Sequence, residues 1–135
     1  STASDALAIT IDTTAPTVTI GSIDISTDTG SSATDFTTNT AAQTVTATLS
    51  AAKAGTDILY GSIDDGSTWI NINSTIAGDN VSISWTGVTL AGSNSIKFKV
   101  TDAAGNDGAV ETQSYILDTT ASAKPGTPDL AVASD

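Results

Sequence analysis

The side chains of this sequence that could do chemistry are mainly oxygen donors, and most of them lie in predicted turns. The chain has 15 acidic residues and four basic ones, lacks histidine and cysteine, and carries a formal net charge of −11. Carboxylate, amide and carbonyl oxygens without nitrogen or sulfur donors favour a hard cation, Ca²⁺ before Mg²⁺. A structural role is the alternative, since aspartate and asparagine side chains bind local backbone in turns. For any single aspartate both interpretations stay open.

One short motif occurs twice and indicates a repeat. The segment Asp12–Pro16 returns as Asp118–Ser122, 106 positions later and with only its last residue changed. This spacing suits one immunoglobulin-type sandwich of about 100 residues. We therefore expect one complete repeat at 13–118, preceded by the last strand of another repeat at 1–12 and followed by a linker and first strand at 119–135.

Stretches rich in valine, isoleucine and threonine alternate with clusters of turn-forming residues, which is typical of short strands. The apolar positions of 81–85 should share one face, with Trp85 in the core. In 96–100 the apolar positions oppose Lys97 and Lys99, so both lysines should face water. We predict an all-β fold, an immunoglobulin-like antiparallel β-sandwich of about seven strands. The predicted strands lie near 16–25, 43–49, 57–63, 68–72, 81–86, 94–101 and 110–118.

Strand direction assigns each acidic turn to one end of the sandwich. We call the end where the first strand begins the N-terminal pole, and the opposite end the C-terminal pole. Because successive antiparallel strands alternate in direction, Asp12 and the loop 102–107 should lie at the N-terminal pole. The residues expected at the C-terminal pole are Asp28, Asp35 and Asn39 in the loop after the first strand, Asp64 in a hairpin, and Asp118. Carboxylates from two repeats would then meet at every junction.

Four segments carry a resemblance to a known family: the boundary Asp12–Pro16, the loop Ser26–Asp35, the hairpin Ser62–Trp69 and the segment Val100–Asn106. In this order they resemble the bacterial Ig-like repeats of giant adhesins exported by type I secretion systems. The resemblance implies an immunoglobulin-like fold, Ca²⁺ at or near the junctions, and a role as extender between a membrane anchor and an adhesive tip. The residues that match the family's motifs as metal ligands are Asp12, Asp28, Asp35, Asp102, Asn106 and Asp118, with Asp64 as a weaker match.

These features together predict a structural extender module of a secreted bacterial surface adhesin that serves cell adhesion in biofilms. Its partners would be neighbouring repeats of the same chain, and the distal ligand would be bound elsewhere. The strongly negative charge repels nucleic acid and anionic membrane surfaces, and no apolar run approaches the roughly 20 residues of a membrane span. Ca²⁺ clamped between a short, stiff linker and the poles would convert a flexible string of repeats into a rod.

Two other function classes compete with this interpretation. Catalysis is the least favoured, because the chain lacks histidine, cysteine and arginine and has Glu111 as its one glutamate. The main rival is a ligand-binding module that contacts carbohydrate, ice or another cell. Trp69 and Trp85 could stack on a sugar, although core packing is favoured for both and a rim position stays open for Trp69. The threonine runs 17–19 and 44–48 could suit ice, but threonine is also an ordinary strand former.

Overall fold

The computed structural model describes residues 11–30 and 32–120, and this part of the chain forms eight strands and one short 3₁₀ helix. All of the predicted strands are present, although the first begins at Ile20 instead of near residue 16. The remaining strand, Thr37–Thr38, is not among the predicted ones. The strands are β1 (Ile20–Ile25), β2 (Thr37–Thr38), β3 (Ala42–Leu49), β4 (Ile58–Ser62), β5 (Ile70–Asn71), β6 (Ser82–Thr89), β7 (Ser93–Thr101) and β8 (Glu111–Leu117), and the 3₁₀ helix is Asn73–Thr75.

The strands form two sheets that pack face to face. One sheet has the order β1-β3-β6, and the other has the order β2-β8-β7-β4-β5. Every strand pair in the described residues is antiparallel except β2 with β8, which is parallel. This arrangement confirms the all-β, immunoglobulin-like sandwich. The predicted strands at 1–12 and 119–135 fall almost entirely outside the described residues.

The core lies between the sheets and follows the alternation of the strands. On β7, Ile96, Phe98 and Val100 are fully buried. Trp85 from β6 is also buried and meets the Phe98 ring edge-on, with ring centroids 6.0 Å apart. Gly61 on β4 leaves room for this tryptophan, since a Cβ atom there would lie 2.6 Å from the indole ring. The predicted core position of Trp85 is confirmed, and burial of each such side chain contributes about 1.5–3 kcal/mol.

Strand registers place the acidic turns at the two ends of the sandwich. β1 pairs with β3 so that Ile20 faces Leu49 at one end, and β7 finishes with Thr101 opposite Ile58. The loop 102–107 therefore lies at the N-terminal pole. At the other end, the backbone N–H of Asp118 donates to the carbonyl oxygen of Thr38 at 2.8 Å. The assignment of turns to poles that strand counting predicted is confirmed.

The outer face of the five-stranded sheet carries aromatic and charged side chains. Trp69 lies there partly buried and outside the core, so the favoured core position for this residue is wrong. The Lys99 Nζ lies 4.5 Å from the Trp69 ring centroid, and the Lys97 Nζ lies 3.1 Å from Asp65 Oδ1. Both lysines point away from the core as predicted. Their side chains are nevertheless only 24% and 15% exposed for Lys97 and Lys99, respectively, because neighbouring groups cover them.

Candidate cation sites at the two poles

Three of the predicted ligands meet at the N-terminal pole. Asp102 Oδ1 accepts hydrogen bonds from the backbone N–H groups of Ala104 (3.0 Å) and Asn106 (2.8 Å), and Asp102 Oδ2 accepts one from Asn106 Nδ2 (3.0 Å). The same Nδ2 donates to the backbone oxygen of Asp12 at 2.8 Å. The incoming segment is thereby fastened to the loop 102–107, and Asp12, Asp102 and Asn106 form one cluster.

Hydrogen bonding holds Asp102 in its charged form. The Asn106 side chain is the main cause of the lowered pKa of Asp102, followed by the Asn106 backbone N–H, while partial desolvation acts in the opposite direction. The Ala104 N–H and the Asp12 carboxyl group contribute less. Because both amide hydrogens of Asn106 are engaged within the cluster, its Oδ1 is the atom left for a cation.

At the C-terminal pole, Asp28 has one satisfied and one unsatisfied oxygen. Its Oδ2 accepts a hydrogen bond from the Phe36 N–H at 3.0 Å. Its Oδ1 is buried and has no hydrogen-bond partner in the described residues. A buried carboxylate oxygen without a donor is costly and is usually compensated by a cation, a water molecule or a proton. The chemistry of this oxygen therefore fits a hard cation.

Asp118 marks the point where the chain leaves the C-terminal pole. Its Oδ1 accepts a hydrogen bond from the Thr120 N–H at 3.0 Å, so the carboxylate stays close to the outgoing backbone. Asp118 also borders an open cavity of about 270 Å³. The other lining residues are Thr29, Gly30, Thr37, Thr38, Asn39 and Thr120. Hydroxyl and amide groups of β2 and of neighbouring loops therefore line the place where the chain leaves the sandwich.

Asp35 and Asp64, the other two predicted ligands, stand apart from these clusters. Asp35 is exposed, and its Oδ1 accepts the Thr37 N–H at 3.0 Å within its own turn. Asp64 Oδ1 accepts hydrogen bonds from Ser62 Oγ (2.7 Å) and from the Thr68 N–H (2.8 Å). These bonds, led by that of Ser62, lower the pKa of Asp64. Both carboxylates bind backbone N–H groups of their own turns, which is the structural role given above as the alternative to cation binding.

Neither pole assembles a full set of charged ligands. Within residues 11–30 and 32–120, no three acidic side chains lie close enough together to hold a metal ion. Calcium takes about six to eight oxygen ligands, several of them carboxylates in most protein sites. A cation at one pole of a single sandwich would therefore depend on amide, hydroxyl and carbonyl oxygens, on water, or on oxygens from a second repeat.

Asp107 is a charged group at the N-terminal pole that the sequence analysis did not single out. Its Oδ2 lies 2.9 Å from Lys99 Nζ, and its Oδ1 accepts a hydrogen bond from the Thr101 hydroxyl. The Thr101 hydroxyl first, and then Lys99, lower the pKa of Asp107, whereas the Asp102 charge raises it. Alternation on β7 predicted that Lys99 faces outward, but it gave no signal that the next loop folds back onto it.

Asp79, in the turn before β6, was also missed. Its Oδ1 accepts the N–H groups of Val81 (3.0 Å) and Ser82 (2.8 Å), and its Oδ2 accepts the Ser82 hydroxyl. Bonds from Ser82 are the main cause that lowers the pKa of Asp79 to about 2. An aspartate three residues before a serine at the start of a strand was the available signal. The role of Asp79 is to close a turn.

The aromatic side chains offer little surface for stacking a sugar. Trp85 is in the core, as described above. The Trp69 ring has Lys99 Nζ 4.5 Å from its centroid, and Gly66 packs against its edge, where an added Cβ atom would lie 3.4 Å from the ring. The two tryptophans therefore cannot form the shared platform that the ligand-binding alternative would need.

No helix in the described part of the chain is long and apolar enough to cross a membrane. Comparison with family models, curated proteins and solved structures found no match to this chain.

Proposed function

We propose that the chain is a structural extender module of a secreted bacterial surface adhesin, stiffened by Ca²⁺ at the junctions between repeats. The observation that carries the proposal is the buried Oδ1 of Asp28, which has no partner among residues 11–30 and 32–120 and lies at the pole where the chain leaves the sandwich. The Asp12, Asp102 and Asn106 cluster at the opposite pole supports it. Oxygen donors thus lie at both ends of the module, where contact with a neighbouring repeat would complete a site.

The aspartate of the linker motif is hydrogen-bonded to the sandwich both where the chain enters and where it leaves, which suits a junction between repeats. Asp118 occupies the same place in its motif as Asp12, and its N–H binds Thr38 of the sandwich it leaves. Asp12 in turn binds Asn106 of the sandwich it enters. At a junction, the linker aspartate and Asp28 of one repeat would therefore face Asp102 and Asn106 of the next. Bound Ca²⁺ would supply positive charge and coordination positions for these oxygens.

Repulsion explains why such a junction would respond to calcium. The net charge of −11 is concentrated in aspartates, and adjoining poles bring carboxylates of two repeats together. Without a counter-charge, like charges at short range repel one another and favour separated repeats. With neutralisation of the junction, the short linker and its stiff β-branched residues Thr13 and Thr14 would hold neighbouring modules in line.

The strand arrangement also suits a module that carries tension. β2 follows the entering strand and runs parallel to β8, with Thr37 beside Ile116 and Thr38 beside Leu117. Pulling the two ends apart would load β1 against β3 first, because β1 precedes β2 in the chain. It would then slide β2 past β8, so that the hydrogen bonds between them would be loaded together in shear. The bond from the Ile116 N–H to the Phe36 oxygen, at 2.9 Å, extends this pairing. Extension from pole to pole would therefore meet resistance before the core opens.

The proposal is tested with a chain that joins residues 1–118 to a second copy of residues 13–135, called the two-repeat chain. We expect Ca²⁺ to raise its melting temperature above that in EDTA, and by more than for the single chain, because a junction completes the site. Asp102→Ala in the second repeat should weaken the response. Asp65→Asn is the matched control, since Asp65 is already paired with Lys97. Equal melting temperatures in Ca²⁺ and EDTA would reject the proposal.

A further inference from the structure

Lys53 lies at the N-terminal pole in a loop separate from 102–107. Its Nζ donates a hydrogen bond to the backbone oxygen of Asp57 at 2.8 Å. Within the described residues, Lys97 and Lys99 have aspartate partners within 4.0 Å, whereas Lys53 has no carboxylate at that distance. Lys53 also borders a polar cavity of about 240 Å³. The other lining residues are Gly55, Asn73, Ile76 and Asn80.

The cavity lies at the same pole as the segment through which the chain enters the sandwich. The loop 50–57 joins β3 to β4, and its first residue is bonded twice to that segment. The Ser50 N–H donates to the Thr19 oxygen at 2.8 Å, and the Thr19 N–H donates to Ser50 Oγ at 3.0 Å. The cavity is therefore part of the surface that a preceding repeat would face.

An ammonium group in this position is suited to bind a carboxylate. A lysine ammonium has three hydrogens to donate, and the Asp57 carbonyl accepts one of them. The cavity volume of about 240 Å³ is ample for a carboxylate group. Partial cover by the cavity would strengthen the charge attraction above that of a fully exposed pair.

Asp35 is the carboxylate of the C-terminal pole best placed to reach a neighbour. It is exposed, and only its Oδ1 is engaged, by the Thr37 N–H. Asp24 and Asp118 are also exposed with one engaged oxygen each, but Asp24 lies on β1 and Asp118 belongs to the linker itself. The remaining alternatives are committed elsewhere. Asp28 accepts a hydrogen bond within its own loop. Asp64 accepts one within its hairpin, and Asp65 forms an ion pair with Lys97.

We propose that the Lys53 cavity is a docking site for the Asp35 carboxylate of the preceding repeat. This inference rests on the proposed function, because it requires repeats joined end to end. It adds a second contact that needs no cation. The pair joins the C-terminal pole of one repeat to the N-terminal pole of the next only, so it gives the junction a direction and a fixed rotation. Salt should weaken it, since the Debye length falls to about 3 Å at 1 M ionic strength.

The test uses the two-repeat chain with isotope labels in the second repeat. NMR amide signals of Gly55 and Asn80 should shift relative to the single chain, both in EDTA and in Ca²⁺. Asp35→Asn in the first repeat should abolish the shift. Lys53→Gln in the second repeat should abolish it too, measured against a single chain with the same substitution. Lys53→Arg should retain it, because the guanidinium keeps the charge.

The matched control is Asp65→Asn in the first repeat, which should leave the shift intact. Absence of the shift, or its persistence in Asp35→Asn, would overturn the docking site even where Ca²⁺ stiffens the chain. A shift that Asp35→Asn removes, in a chain that does not respond to Ca²⁺, would keep the docking site and reject the cation-stiffened junction. The two proposals can therefore fail separately.

Discussion

The two poles of the sandwich carry similar residues but satisfy them differently. At the N-terminal pole, donors in the same turn or loop satisfy Asp79 and Asp102, and Lys99 and Thr101 satisfy Asp107. Hydrogen bonding lowers the pKa of each of these three carboxyl groups. At the C-terminal pole, Asp28 has a buried oxygen without a partner in the part of the chain that the structure describes. The acidic side chains Asp79, Asp102 and Asp107 of one pole are therefore satisfied within the module, whereas Asp28 at the other pole has an oxygen that needs a partner from outside.

Acidic residues in turns are therefore not one class of site. A carboxylate that closes its own turn already has hydrogen-bond donors, so it gains less from a cation. A carboxylate with an unsatisfied oxygen gains a partner. The dependence on calcium should therefore arise mainly at the C-terminal pole, with the N-terminal pole as a preformed surface that it meets.

The largest effect should come from disturbing the closed packing of the N-terminal pole. In Gly108→Ala, the new Cβ atom would lie 2.9 Å from the Pro16 carbonyl oxygen and 3.2 Å from that of Val100, and both are backbone atoms. We expect a loss of about 1–3 kcal/mol in the free energy of unfolding, measured with denaturant in EDTA. Gly78→Ala is the matched control, because a Cβ atom there meets nothing within 4 Å. A loss no larger than in the control would show that this pole is not closely packed.

A substitution of Asp28 at the C-terminal pole should change the free energy of unfolding less than Gly108→Ala does, and should raise it instead of lowering it. Asp28→Asn removes the charge of a carboxylate whose Oδ1 has no partner among the described residues, while the amide oxygen can still accept the Phe36 N–H. Stability in EDTA should rise by up to about 1 kcal/mol, and the gain in melting temperature on adding Ca²⁺ should be lost. Asp35→Asn in the single chain should change neither quantity. Retention of the full calcium response in Asp28→Asn would show that Asp28 does not bind the ion.

Acid should destabilise the turn of Asp79 at the N-terminal pole, with the smallest effect of the three. The pKa of Asp79 is lowered from 3.8 to about 2 by its bonds to Ser82 and Val81. A lowered folded-state pKa gives stability that is present above the unfolded value and is lost as pH falls through the folded value. The melting temperature in EDTA should therefore fall between pH about 4 and about 2. In Asp79→Asn this fall should be shallower, and an unchanged slope would contradict the assigned cause.

The parts of the fold that sequence predicted are those set by strong alternation. Ile96, Phe98 and Val100 could be assigned to the core because polar residues separate them. Counting strand directions then located the loop 102–107 and Asp118 at opposite poles, since antiparallel order leaves no alternative. β2 could not be foreseen, because two threonines among polar residues have no pattern and pair only through the tertiary fold.

The parts of the site that sequence could not predict depend on single side-chain bonds. Trp69 precedes an edge strand of two residues, too short for alternation to assign its face, so a large apolar side chain was placed in the core. The ion pair of Lys99 with Asp107 joins a strand to the following loop. The unpartnered oxygen of Asp28 depends on which neighbours donate, and spacing carries no such information.

Small-angle X-ray scattering of the two-repeat chain tests the cation-stiffened junction most directly. Profiles are recorded in EDTA and in about 1 mM Ca²⁺, a concentration suited to calcium sites of extracellular modules. On our account, Ca²⁺ narrows the spread of shapes to a single extended rod, and Mg²⁺ does so less well. Superimposable profiles with and without Ca²⁺ would contradict the account, and the β-sandwich would remain as a module held in line by other means.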